Sequence, residues 1–403
     1  LSIRKRAWKT GKGETKETWV CSYADQTGKR RLKTFAKKKE ADAFEARAKV
    51  EIREGVHTAD AATVTIAKAG EQWLASCEQR GLERTTIDSY RQALVYHINP
   101  HLGRLKLSQL SAPLVRQFED DLRAGNPAAG EGEGKPRSAA MVRKVRSALS
   151  ILLGDAMERG LVNRNVAREL RARRKAGAER KSERRQKGKL KAGVDIPLAA
   201  EIRAIIQALE NMSGRHRAVI VTAIFTGLRA SELRGLRWSD IDFSKKEIRV
   251  HQRADRYNVI GRPKSESGER TVPTPPMALN ALRQWKLQCP ESELGLAFPT
   301  RSGSVVQHTD IVNRGLIPAQ LKAGVVTADG KAKYTGLHGL RHFFASWCIN
   351  RKVDGGLGLP PKVVQERLGH SSIMMTMDVY GHLFPRGDDQ EELAEAESRL
   401  WLV

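Results

Sequence analysis

Four cysteines in 403 residues, Cys21, Cys77, Cys289 and Cys348, stand far apart and form no C-x-x-C pair, which argues against a disulfide framework and against a zinc site. No apolar run approaches the roughly 20 residues that span a bilayer, and the first residues lack the apolar stretch of a secretory leader. A G-x-x-x-x-G-K-S/T phosphate loop is missing, so ATP hydrolysis is not supported. Nor is there a carboxylate cluster able to hold two magnesium ions. Acidic residues are in short supply as well: 46 Asp and Glu against 71 Lys and Arg leave a formal charge of +25. Such a surplus bears on partners rather than on fold. Nucleic acid leads, ahead of an anionic membrane surface or an acidic protein. The expectations are a reducing cytoplasm, no cofactor, no metal and no membrane partner.

With domains usually holding about 100–200 residues, the length allows two or three of them. Residues 1–60 read as a small sheet packed on a helix. "TWVCSYA" and "RRLKTF" alternate as strands around the turn "DQTGKR", "AWK" offers a third, and "KKKEADAFEARAKVEIREG" has helical spacing through Ala41, Phe44 and Ala48. This segment carries 16 basic and 9 acidic residues. A ribbon so basic can lie in a DNA groove, with Arg4, Lys5, Arg6, Arg30, Arg31 and Lys33 as candidate contacts. Residues 63–170 read as a four-helix unit whose apolar stripes run through Ile66, Ala69, Trp73, Leu74 and Cys77 and through Ile87, Tyr90, Leu94 and Ile98. Between 171 and 191 stand 11 basic and 2 acidic residues with almost nothing apolar. That composition cannot bury a core and reads as a linker tracking a phosphate backbone, with Arg173, Arg174, Lys175, Arg184 and Arg185 as candidate contacts.

From 192 to 387 helices mix with a short sheet. "RAVIVTAIFTG" is an apolar helix closed by Gly227, "EIRVHQ" and "ERTVP" are strands, and "LHGLRHFFASWCIN" and "PPKVVQERLG" are helices. His338 and His342, four apart in "HGLRH", share a helical face as in zinc metalloproteases, but the glutamate of that motif is absent. Metal-free attack on a phosphodiester needs a nucleophile, cations for the non-bridging oxygens and an acid for the leaving oxygen. Arg229 in "TGLRASEL", Lys264 in "GRPKSESGERTVP", His338 and Arg341 in "HGLRH", His370 in "LGH" and Tyr380 in "DVYGH" offer all three. In "LGHSSIMMTMDVYGHLFP" the expected division is packing for Ile373, Met374, Met375 and Met377, with Ser371 or Ser372 as N-cap.

These motifs, in this order and spacing, make the chain resemble the tyrosine recombinase family, the phage-type integrases. The resemblance implies a multidomain, mainly α protein with small β-sheets. Residues 1–60 would be an arm-binding domain of three strands and a helix, 63–170 a helical core-binding domain, and 192–387 a mixed α+β catalytic domain. It implies that Arg229 and Arg341 hold the scissile phosphate with help from His370, that Lys264 protonates the departing 5′ oxygen, that His338 is an acid or base, and that Tyr380 attacks phosphorus. Glu232 is expected to orient a catalytic arginine, and His382 either to cap its helix or to support the site. Aspartate is frequent in the family where Gly339 stands, and a small hydroxyl residue where Phe343 stands, departures that touch local packing. The tail 388–403, with Leu393, Ala396 and Leu400 on one stripe, is expected to dock on a neighbouring protomer. The implied function is integration and excision of a prophage or integrative element by a homotetramer on double-stranded attachment sites, with a host DNA-bending protein and an excisionase as further partners. The alternatives are a chromosome or plasmid dimer-resolving recombinase and a non-catalytic DNA-binding architectural protein.

Overall fold

The computed structural model describes residues 2–9, 15–25, 28–55, 57, 63–126, 135–170, 189–263, 265–384, 394 and 397–401. The chain divides into two compact units, Leu1–Arg174 and Lys175–Val403. As the sequence indicates, it is mostly helical with small antiparallel sheets.

In the first unit β1 (Ser2–Lys9), β2 (Thr15–Ala24) and β3 (Arg30–Phe35) form an antiparallel sheet in the order β1-β2-β3. Ile3 lies opposite Cys21 and Trp19 opposite Phe35. The two-residue period therefore gathers Ile3, Cys21, Tyr23 and Phe35 on one face. There they pack on Phe44, Ala48 and Ile52 of α1 (Lys38–Arg53). The same register splits the six basic residues expected to meet DNA. Lys5, Arg31 and Lys33 fall on the helix side and are engaged: Lys5 Nζ is 2.7 Å from Glu17, Arg31 Nε donates to Asp25 at 2.8 Å, and Lys33 Nζ lies 4.5 Å from the centre of the Phe44 ring. Arg4, Arg6 and Arg30 share the face away from α1.

The rest of this unit is built on α2 (Ile66–Gln79), α3 (Arg84–Ala93), α4 (Ala112–Ala124) and α5 (Ala139–Glu158). Thr65 Oγ1 accepts the Lys68 N–H and starts α2. Ile66, Ala69, Trp73 and Cys77 then pack against Ile98, Val115, Leu149 and Leu152. The stripe from Ile87 to Ile98 is not one continuous α-helix: a π turn occupies Leu94–Ile98. Pro100 explains it, because proline withdraws an N–H from the ladder and crowds the carbonyl four residues back. A second π turn, Val312–Leu316, precedes Pro318 at the same spacing.

The second unit contains α6 (Ala199–Leu209), α7 (Gly214–Thr226) and α8 (Ala230–Gly235). Next come β4 (Ile241–Asp242) and β5 (Glu247–Val250), the hairpin of β6 (Arg253–Ala254) with β7 (Ile260–Gly261), and β8 (Arg270–Pro273), giving a sheet in the order β4-β5-β8. Helices α9 (Pro276–Lys286), α10 (Leu337–Ile349), α11 (Pro361–Leu368) and α12 (Ile373–Tyr380) complete it. Helix α7 is the centre of the core, with Val219, Ile220, Val221 and Ile224 all buried. Phe343 belongs to that core. A Cβ on Gly339 would meet its nearest neighbour, Tyr334, at 3.6 Å, so the position has room for a side chain.

One packing expectation fails on α12. Met374 is 62 % exposed, and Ile373, Met375 and Met377 are exposed with it. Thr376 and Tyr380, one turn apart, form the inward stripe instead. Ser372 does cap the helix, accepting the Met375 N–H. The linker candidates Arg173, Arg174, Lys175, Arg184 and Arg185, and the tail residues Leu393 and Ala396, lie outside the described residues. Among the described residues no helix is long and apolar enough to cross a membrane.

Candidate active site

The site is assembled where α7, α10 and α11 end or begin. Helix α7 stops at Gly227, whose left-handed φ of +61° suits glycine, and the chain re-enters helix two residues later with Arg229 at the N-cap. That sharp exit turns Arg229 into the site. Its backbone N–H donates to Glu232 Oε2 and its Nη1 to Glu232 Oε1, both at 2.8 Å, while Nη2 donates to the Gly369 carbonyl at 2.9 Å. Arg341, buried on α10, donates from Nη1 to the Gly227 carbonyl at 2.7 Å and from Nη2 to the Leu368 carbonyl. The two guanidiniums are thus pinned by the carbonyl-rich ends of α7 and α11, as their forked donors allow. Burial, then the neighbouring Arg229, pushes Arg341 down to about 9, which leaves it charged at pH 7.

Glu232 is the counter-charge. Burial alone would raise its carboxyl, but Arg270 and Arg229 more than offset that and hold it at about 2. Arg270 contributes a fork from β8, Nη2 to Glu232 Oε2 at 2.9 Å and Nη1 to Oε1 at 3.2 Å, and its Nε donates to the Arg367 carbonyl at 2.8 Å. Glu232 thus pairs with Arg229, and a second arginine shares it.

His370 follows α11 and is buried. Its Nδ1 lies 2.9 Å from Thr376 Oγ1, and its carbonyl accepts from Gln365 Nε2 at 2.8 Å. Its ring is parallel to that of Tyr380, with centroids 6.2 Å apart. Burial, then Arg341 and Arg229, lowers His370 to about 4, so it is neutral at pH 7. His338 is lowered by the same causes. Tyr380 is 2 % exposed, and its hydroxyl lies 2.8 Å from His342 Nδ1. Burial pushes its phenol up to about 12, although Arg341 and Arg229 pull the other way. Desolvation is the larger effect on the phenol, and the two guanidiniums offset it only in part.

The structure brings together Arg229, Glu232, His338, Arg341, His370 and Tyr380. Lys264 lies outside the described residues. His382 is not part of the cluster: its Nε2–H donates to the Leu190 carbonyl at 2.8 Å, so it neither caps α12 nor supports the tyrosine. Among the described residues no group of three or more His, Cys, Asp or Glu side chains could hold a metal ion. His338 and His342 stack edge to face at 4.5 Å instead. Two residues at the site were not among the sequence-predicted site residues: Arg270, and His342, which the sequence offered only as a weak zinc-type partner of His338. The first could have been found from strand alternation, since Arg270 falls on the same side of β8 as the buried Val272.

Residues 198–386 match the phage integrase family, and residues 65–122 match the phage integrase N-terminal SAM-like domain. A tyrosine recombinase XerC-like protein of Caldanaerobacter subterraneus subsp. tengcongensis is 25% identical over 396 residues, 90% of each chain. The ICEBs1 integrase of Bacillus subtilis is 33% identical over 178 residues, 43% of this chain and 46% of that relative. Among solved structures, the Tn1549 transposon integrase in complex with transposon right end DNA shares the fold with a TM-score of 0.61 and 18% identity, over 83% of this chain and 99% of that one. The matches to both of these models, with the tyrosine recombinase and integrase relatives, place the chain in the phage integrase family of tyrosine recombinases.

Proposed function

We propose that the chain is a site-specific DNA recombinase that integrates and excises a prophage or other integrative element, cutting and rejoining DNA through a 3′-phosphotyrosine at Tyr380. The observation that supports this best is that Arg341 and Arg229 both act electrostatically on the Tyr380 hydroxyl: Arg229 reaches the Gly369 carbonyl beside His370, whose ring is parallel to that of Tyr380. Arg229 and Arg341 hold the non-bridging oxygens, where charge grows as the phosphorus becomes five-coordinate. His370, neutral at pH 7, and His338 donate ring N–H groups to the same oxygens or to the departing one. Lys264 protonates the 5′ oxygen. The phosphotyrosine ester keeps the energy of the broken phosphodiester, so a new 5′ hydroxyl can rejoin the strand without ATP. Arg4, Arg6 and Arg30, with the basic segment 171–191, hold duplex DNA by its phosphates. A homotetramer pairs two attachment sites, on the nucleoid in the cytoplasm, with an excisionase and a host bending protein setting direction.

A dimer-resolving role is the second reading, favoured by the XerC-like relative that matches along 90% of both chains. Mapping where the encoding element meets its chromosome separates the two, because an integrase leaves matched crossover sites at both junctions. A nicked suicide duplex carrying that crossover tests the chemistry. The wild type forms a covalent adduct and Tyr380→Phe forms none; an adduct that survives the substitution overturns the nucleophile assignment, and a wild type that binds without cleaving points to an architectural protein.

A further inference from the structure

The side chain nearest the nucleophile has no part in the reaction so far. His342 stands one turn beyond His338 on α10, and among the described residues its Nδ1, 2.8 Å away, is the hydrogen-bond partner of the Tyr380 hydroxyl. The other two histidines are placed differently. His370 turns Nδ1 to Thr376, and His338 meets His342 ring edge to face.

We propose that His342 is a catalytic residue of this chain, the proton acceptor that activates Tyr380. The inference rests on Tyr380 being the nucleophile. As Oη bonds to phosphorus the Oη–H bond breaks, its proton moves to Nδ1, and His342 becomes an imidazolium. The P–O5′ bond breaks, and the 5′ oxygen takes its proton from a separate acid, the role assigned to Lys264. In rejoining, a 5′ hydroxyl attacks the phosphotyrosine and gives its proton back to the group that had protonated the 5′ oxygen, the P–Oη bond breaks, and His342 returns its proton to the departing tyrosine oxygen. Nothing is oxidised or reduced and no charge is left over on the histidine.

Two features make the acceptor necessary and available. Tyr380 is pushed up to about 12, so at pH 7 only about one hydroxyl in 10⁵ would be ionised unaided. His342 is lowered to about 4 by burial, then by His338 and Arg341, against a weaker pull from Asp195. It is therefore neutral, and in the Nε2–H tautomer Nδ1 carries a lone pair aimed at Oη. Complete transfer to so weak a base would be uphill in the resting site. Transfer coupled to attack is not, because the phenol grows more acidic as its oxygen bonds to phosphorus, while the arriving phosphate offsets the positive charge of Arg229 and Arg341.

His342→Gln separates a base from a clamp, since the amide oxygen can accept the hydrogen bond but cannot keep the proton. On the nicked suicide duplex this variant should bind DNA as the wild type does and form adduct about 10²–10³ times more slowly. Replacing Tyr380 by a fluorinated tyrosine, whose phenol ionises more readily, should recover much of that loss in the His342→Gln protein while changing the wild type little. Adduct formed by His342→Gln at the wild-type rate overturns the proposal, as does an equal effect of fluorination in both proteins. Against the chance that Gln disturbs packing, His342→Ala with added imidazole gives a second readout. Recovery that grows with imidazole supports the base, and its absence in a folded, DNA-binding protein refutes it. A wild type that forms no adduct at all would instead remove the nucleophile reading beneath it.

Discussion

Glu232→Gln should destabilise the second unit by about as much as any single change at the site, and the size follows from its surroundings. Holding the carboxyl at about 2 instead of 4.5 corresponds to about 3 kcal/mol, at about 1.4 kcal/mol for each tenfold change in acidity. An independent route agrees: Arg270, with a side chain only 6 % exposed, loses its counter-charge, and a buried ion stripped of its partner costs about 3–5 kcal/mol. For a unit of this size, about 3 kcal/mol lowers the melting temperature by about 6–12 °C. Calorimetric scans of the full chain at pH 7, resolved into their separate transitions, read that shift. The pH dependence carries a sign. A carboxyl held below its unfolded value of 4.5 stabilises fully above that pH and loses its contribution as pH falls through about 2. Wild type should therefore lose stability across that window, and Glu232→Gln should lose about 3 kcal/mol less over the same range. Adding Arg270→Met to Glu232→Gln should cost at least about 1 kcal/mol less than the sum of the single changes, because the more deeply buried of the two charges that Glu232 balances is then gone. Strict additivity, or a single-variant cost below about 1 kcal/mol, would refute the reasoning.

Two glycines make an opposed pair. Gly227→Ala places a Cβ 2.3 Å from the Phe344 ring in a left-handed turn, and should cost about 2 kcal/mol or more in denaturant unfolding. Gly339→Ala, with its nearest neighbour at 3.6 Å within a helix, should leave stability unchanged or raise it by up to about 1 kcal/mol. On the arm sheet, Arg4→Ala and Arg6→Ala should each lower the slope of log affinity against log salt by about 0.9 for duplex DNA, as the loss of one phosphate contact does. Lys5→Ala, already paired with Glu17, should change it less, and equal slopes for all three would mean that the register does not decide which residues meet DNA.

Legibility in the sequence followed from how local each signal was. Arg229 could be read because Gly227 ends a buried helix and the next helix starts two residues on, so a polar residue there faces a cleft whatever packs around it. The stripe from Ile66 to Cys77 was legible for the same reason, being a property of one helix. For Arg270 strand alternation gives only the buried side, shared with Val272; its role is hidden because its partner Glu232 lies 38 residues away. Between these cases stand the methionines of α12. Their spacing suits packing, but eight residues can present only one narrow stripe inward, and Thr376 and Tyr380 occupy it.

The surroundings of Tyr380 are the part of the site least visible in the sequence. Counting cations along the chain suggests a phenol ready to ionise, since two arginines and a lysine share its motifs. Burial is a sum over everything packed around the ring, and no local motif reports it. Here it outweighs both arginines and holds the hydroxyl neutral. On the function proposed above, the guanidiniums then stabilise charge on the phosphate as it develops, rather than charge already present on the oxygen, and an arrangement of that kind needs a proton acceptor within reach of Oη. The ring of His342 occupies that position, which is why the proposal gives a histidine that reads as a stray zinc ligand in "HGLRH" a share of the chemistry.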